Sequence, residues 1–219
     1  CRTLKPLNYR DIVYSDIPLH VVVTAVESGG RVTLSDFSSG EEITEALRAS
    51  ARIPWVAGPP VNVRGKSYVD ASVSESIPFA TAFDLGATDV LALLTRPAGN
   101  LRSKPGWVDR LIVASHLTRH SKDVEQAYLR RAETYRAEMA AISAFSRLGS
   151  NARLLAVQTP PSAPKVSSLE RSRARLVAGA MAGYAAVYEA LELPRPGLAE
   201  IITPLADLQQ DCREASSAP

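Results

Sequence analysis

Cysteine is nearly absent: the 219 residues hold two, Cys1 at the start and Cys212 in a polar stretch near the end. Thiols so placed cannot form the disulfide framework that staples small secreted domains, and a reducing compartment is the default expectation. Long apolar runs are also absent. A membrane-spanning helix needs about 20 consecutive apolar residues, and the unbroken runs here are far shorter. The opening CRTLKPLNYRDIVYSD has no apolar core of a secretion signal. These absences predict a cytoplasmic protein, with peripheral membrane attachment as the allowed variant. Net charge is small, +2 from 25 basic and 23 acidic residues. Phosphate-backbone binding needs clustered, uncompensated Lys and Arg, so no nucleic-acid partner is expected. Glycine is missing where a serine nucleophile would need it. The first glycine is Gly29, and the only two spaced four apart, Gly179 and Gly183, enclose Met181, so the chain has no Gly-x-Ser-x-Gly elbow.

What is present suits a globular domain: 46% of residues are hydrophobic and 22% charged. Residues 19–26 (LHVVVTAV) form a nearly continuous β-branched run, as in a strand buried on both faces. Gly29-Gly30 and the alternating RVTLSDF make it one arm of a hairpin. Ser39 with Glu42 gives a capping-box pattern for a helix over about 41–51, stopped by Pro54. Residues 61–63 and 68–69 read as two short strands around a turn at Gly65, with Asp70 at the end of the second. A helix from Pro78 to about Leu85, ended by Gly86, leads to a buried strand over 90–95 (VLALLT). Helices are expected over 107–117 and 121–148, the second carrying one apolar stripe that includes Val124, Tyr128, Tyr135 and Ile142. Residues 153–158 are the last strand candidate, and Ser167 with Glu170 predicts the start of a helix to about Leu191. Residues 1–193 read as one domain and 194–219 as a loosely held tail. Alternating strands and helices predict an α/β fold with a mostly parallel sheet.

Several local patterns have bland readings. The Gly65-Lys66-Ser67 tripeptide lacks the glycine a phosphate-binding loop needs five positions earlier, where Pro60 stands. His116 and His120 could share a helix face, but Leu117 replaces the glutamate of a zinc protease motif, and a solvated pair is the reading adopted. No metal and no cofactor are expected. Gly179 and Gly183 lie on a small-residue helix face, read as internal packing, with a homo-oligomer seam as the alternative. The charged stretch 128–138 (YLRRAETYRAE) is read as a solvated helix face.

The clearest constellation spans residues 46–95. It combines Arg48-Ala49-Ser50, Ile53-Pro54, Pro59-Pro60-Val61, Gly65, Val69-Asp70-Ala71-Ser72, Ile77-Pro78 and Gly86-Ala87, followed by the strand from Val90. In order and spacing this resembles the patatin-like phospholipase family; the resemblance reaches from 18 to 191 and is strong between 19 and 95. It implies a three-layer α/β sandwich, here lacking its N-terminal part. It implies acyl-ester hydrolysis by a Ser-Asp dyad, with lipid or another carboxylic ester as substrate and Asp70 as the base. A carboxylate at its ordinary pKa, about 3.9, is a weak base, and burial beside the serine is what would raise its basicity. Without the surrounding pattern, Asp70 is simply a strand-end carboxylate capping a turn.

Two departures yield further expectations. The serine is not in this chain, so Asp70 would work with a nucleophile from elsewhere. Ala71 stands where the family has glycine and would be strained if a positive φ were needed there. These departures motivate a second reading, a non-catalytic relic that binds lipid or protein. A sheet deprived of its first strands should expose apolar edges such as Val21–Val23 and promote self-association.

Overall fold

The structure, a computed structural model, describes residues 8–53, 58–103, 105–107, 121–145, 153–167 and 170–194. The expected stop at Pro54, the expected helix over 107–117 beyond its first residue, His116 and His120, both cysteines and the tail from residue 195 lie outside the described residues.

A short helix α1 (Tyr9–Val13) precedes β1 (Val21–Ala25) and β2 (Arg31–Leu34), which pair antiparallel from Val21↔Leu34 to Thr24↔Arg31. Helix α2 (Gly40–Ser50) follows. Its cap forms as the sequence predicts, with Ser39 Oγ accepting the Glu42 N–H at 3.2 Å. The Glu42 carboxylate reaches one residue further back than a standard capping box, accepting the Ser38 N–H at 2.8 Å. Strands β3 (Val61–Val63) and β4 (Lys66–Val69) form a second hairpin, and β4 joins β1 at Thr24↔Val69 and Ala25↔Tyr68. The sheet order is β2-β1-β4-β3, antiparallel throughout.

The expectation of a mostly parallel sheet is corrected for these four strands. Among the described residues, parallel pairing is confined to β5 (Asp89–Leu94) and β6 (Arg153–Gln158), in register from Asp89↔Arg153 to Leu94↔Gln158. An apolar β-branched run shows that a strand is buried but not which way its neighbours run; the short connections force antiparallel pairing within β1–β2 and β3–β4, while β1 and β4, joined through α2, are also antiparallel. The α/β character stands, with helices and strands mixed along the chain.

Ile43, Ala46 and Ala49 of α2, all fully buried, pack with Val21, Val23, Leu34 and Tyr68. Val26, Val69 and Val73 pack instead with Val124 and Tyr128 of the long helix α4 (Lys122–Phe145). Farther along α4, Tyr135 and Ile142 cover Ala92 of β5, with Leu94, Leu154 and Ala156 beside them. The apolar stripe expected on this helix is therefore its buried face.

Helix α3 (Phe79–Asp84) ends as predicted at Gly86, whose φ of 92° suits a glycine just past a helix. Helix α5 (Arg173–Ala190) starts later than predicted. Ser172 rather than Ser167 caps it, while the Glu170 carboxylate accepts the N–H groups of Arg171 and Ser172 just outside the helix. Gly179 packs internally as expected, since a Cβ there would sit 2.6 Å from Val166 Cγ2, but Gly183 faces open space.

Two burial expectations are revised. Val21–Val23 are buried, not an exposed edge. The strand expected to be wholly buried, β5, leaves Leu91 and Leu93 52% and 64% exposed, so apolar surface is left uncovered there. Among the described residues no helix is long and apolar enough to cross a membrane.

Candidate active site

Asp70 directly follows β4 and caps a 3-10 turn over Ala71–Val73. Three neighbours fix it. Its N–H donates to Arg52 O at 3.0 Å, its carbonyl accepts the hydroxyl of the fully buried Thr24 at 2.8 Å, and its Oδ1 accepts the Ser72 N–H at 2.7 Å. Thr24 Oγ1 also lies 2.8 Å from Ser74 Oγ, tying β1 to the turn. The carboxylate thus caps a local turn and is half-buried at the same time. Ala71 sits in the 3-10 turn and is not among the residues with positive φ, so the strain expected there is absent.

The segment following Asp70 is held by residues the sequence reading assigned to solvent. Glu138 of α4 accepts the N–H groups of Ser76 at 2.9 Å and Ile77 at 3.2 Å. Arg136 donates to Arg102 O at 3.2 Å, and Arg131 donates to Tyr128 O at 3.0 Å with its guanidinium 3.4 Å from the centre of the Tyr128 ring. The charged stretch 128–138 is therefore partly an inner wall. Spacing carried that signal: Glu138 is three residues after buried Tyr135 and four before buried Ile142, and Arg131 stands likewise between Tyr128 and Tyr135.

Arg102 was also missed. It donates to Ser72 O at 3.3 Å, to Ser72 Oγ at 3.4 Å and to Ser76 Oγ at 3.5 Å. Burial and the nearby Arg96 cation push its guanidinium down from its usual pKa, against the attraction of Asp70, Tyr128 and Glu138. On the other side of the turn, buried Glu75 accepts the Thr81 hydroxyl at 2.5 Å and pairs with Arg31 at 3.2 Å. Asp70, Ser72, Arg96, Arg102, Tyr128 and Arg131 line one cavity of about 410 Å³. Among the described residues no group of three or more His, Cys, Asp or Glu could hold a metal ion. The Gly65-Lys66-Ser67 tripeptide is a hairpin turn and the start of β4, with Gly65 N–H donating to Asn62 Oδ1 at 3.1 Å.

Glu138 gives this wall a pH dependence. Burial raises its carboxyl from the ordinary 4.5 to about 7, outweighing the two N–H donors and Arg102, with Glu75 adding to the rise. As pH rises, the unfolded chain loses this proton near 4.5 and the folded one only near 7. Its contribution to stability is therefore most favourable below 4.5, declines through that window and is flat above it. Glu138→Gln should flatten the fall in melting temperature between pH 5 and 7; an unchanged slope would assign that fall to other groups.

Comparison with known proteins identifies the segment that carries this turn. Residues 10–83 match the patatin-like phospholipase family. Strands β1–β4, helix α2, Asp70 and the turn after it all lie within that patatin-like segment, which is narrower than the extent read from the sequence. A stretch of 83 residues is 37% identical to the human 1-acylglycerol-3-phosphate O-acyltransferase PNPLA3, covering 37% of this chain and 17% of that protein. The mouse protein of the same name is 35% identical over 78 residues, covering 35% of this chain and 18% of its own length. The chain thus matches less than a fifth of the length of these relatives.

Proposed function

We propose that residues 1–193 are the acid-bearing part of a patatin-like acyl-ester domain, with Asp70 as general base for a serine supplied by sequence outside this chain. The observation that carries the reading is the position of Asp70. It lies within the patatin-like match, on a cavity wall, with its backbone fixed by Arg52 and Thr24. In the proposed route the serine Oγ passes its proton to Asp70 and attacks the ester carbonyl. The alkoxide leaving group takes the proton back as the acyl-serine forms. Water, deprotonated by Asp70, then releases the acid; an acceptor hydroxyl in place of water would give acyl transfer. The names of the two relatives describe an acyltransferase, so both endings belong to the proposal.

A three-layer sandwich completed by further strands is part of the same reading. It is supported by α2 and α4 packing with different sets of sheet residues. It is also supported by a groove of about 560 Å³ that follows β5 from Val90 to Arg96, beside exposed Leu91 and Leu93. The substrate is lipid or another carboxylic ester, met at a membrane surface through exposed apolar side chains such as Ile17 and Trp107. The alternative, a non-catalytic lipid-binding or interaction module, is favoured by the turn-capping bond that Asp70 already makes and by the lack of a Gly-x-Ser-x-Gly serine among these residues. The test is ester turnover and acyl transfer by the complete natural protein on short-chain lysophospholipids. Turnover is expected, and none in either assay would leave the binding module as the better account.

A further inference from the structure

Cationic groups from three parts of the chain converge on the cavity that Asp70 lines. Arg96 follows β5, Arg102 lies in the loop beyond it and Arg131 is on α4, yet all three border the same 410 Å³ space. Asp70 is the only carboxylate residue on that wall among the described residues. The hydrogen bonds of the Arg102 side chain go to neutral oxygens of Ser72 and Ser76, all at 3.3 Å or longer. Among the described residues neither Arg96 nor Arg102 forms a salt bridge. The Arg96 guanidinium lies over the Tyr135 ring, 5.7 Å from its centre. With Arg102 partly desolvated beside another arginine, and Asp70 the one carboxylate facing three guanidinium groups on this wall among the described residues, a bound anion would balance the excess positive charge. Guanidinium forks match phosphate oxygens in charge and geometry.

We propose that Arg96, Arg102 and Arg131 form an anion subsite beside Asp70 that takes the phosphate group of a phospholipid substrate. The proposal rests on the acyl-ester reading for its substrate and adds which ester is preferred. An apolar path adjoins the subsite: Arg96 and Arg102 also border the groove along β5, whose other walls include Ile77, Phe79, Leu91 and Leu93. A phosphate held by the arginines would place the glycerol ester near Asp70 and leave the acyl chain to that groove.

The test is calorimetric titration of the complete natural protein with 1-hexanoylglycerol 3-phosphate, neutral 1-hexanoylglycerol and inorganic phosphate. The phosphorylated lipid should bind at least about tenfold more tightly than either of the others. Arg96→Gln and Arg102→Gln should each weaken it by about tenfold or more while leaving the neutral lipid unaffected. Arg102 also braces the turn, so its variant is read alongside a melting curve; Arg96, with no side-chain hydrogen bond to the turn, decides the matter if Arg102→Gln is unstable. Equal binding of the neutral lipid, or full affinity in Arg96→Gln, would overturn the subsite. Inorganic phosphate binding as tightly as the phosphorylated lipid would make it a free-phosphate site and overturn the lipid assignment. Binding without turnover would count against the hydrolase reading and leave the subsite standing.

Discussion

Asp70→Asn in the complete protein should lower ester turnover by about 10²–10⁴-fold, the range expected for losing a general base, with little change in melting temperature. Asparagine keeps an oxygen that can accept the Ser72 N–H, now at 2.7 Å. The bonds to Arg52 O and from Thr24 Oγ1 involve only the backbone of residue 70 and are unaffected. Only the capacity to take a proton disappears. Asp70→Ala is less informative, because it also removes the cap, at a cost of about 1 kcal/mol. Retained turnover in a folded Asp70→Asn protein would reduce Asp70 to the turn cap it visibly is.

The second large effect concerns how α4, which supplies Glu138 and Arg131, is seated. Gly29 in the β1–β2 turn has a φ of 64°, and a Cβ there would lie 2.5 Å from Asp123 O and 2.7 Å from Asp123 C. Both atoms are backbone at the start of α4 and cannot swing away. Ser121 Oγ donates to Glu27 O at 2.9 Å across the same contact. Gly29→Ala should therefore destabilise the protein by about 2–4 kcal/mol, combining left-handed strain with overpacking. Gly65 supplies the control, with a φ of 76° and nothing within 4 Å of its would-be Cβ. Gly65→Ala carries the strain alone and should cost about 1–2 kcal/mol. Chemical denaturation of both variants checks this, and equal losses would mean that the α4 contact contributes nothing.

Local chemistry made much of the fold legible. Gly29-Gly30 marked the first hairpin, Ser39 and Glu42 marked the start of α2, Gly86 marked the end of α3, and the Val-Asp segment placed Asp70 at the end of β4. Strand direction was not legible, because β1 and β5 look alike as apolar runs while one pairs antiparallel and the other parallel. The second helix cap failed because Ser-x-x-Glu at 167–170 is only a pattern. Ser172 offers an equally good hydroxyl closer to the helix, and it is the one used.

The lining of the candidate site was half legible. Asp70 emerged from its neighbours, while Arg102 lies in a loop with no periodicity to mark it. Glu138 and Arg131 were hidden by their charge, although their spacing from Tyr135 and Tyr128 puts them on the buried stripe. Charge argued for solvent, and position on the helix was the better guide.

The most direct measurement of the central claim is the rate at which a fluorophosphonate ester labels serine in the complete protein and in Asp70→Asn. The account predicts one labelled serine, outside this chain, reacting about 10²-fold or more slowly in the variant. No labelled serine, or equal labelling rates in the two proteins, would contradict a role for Asp70 as the base.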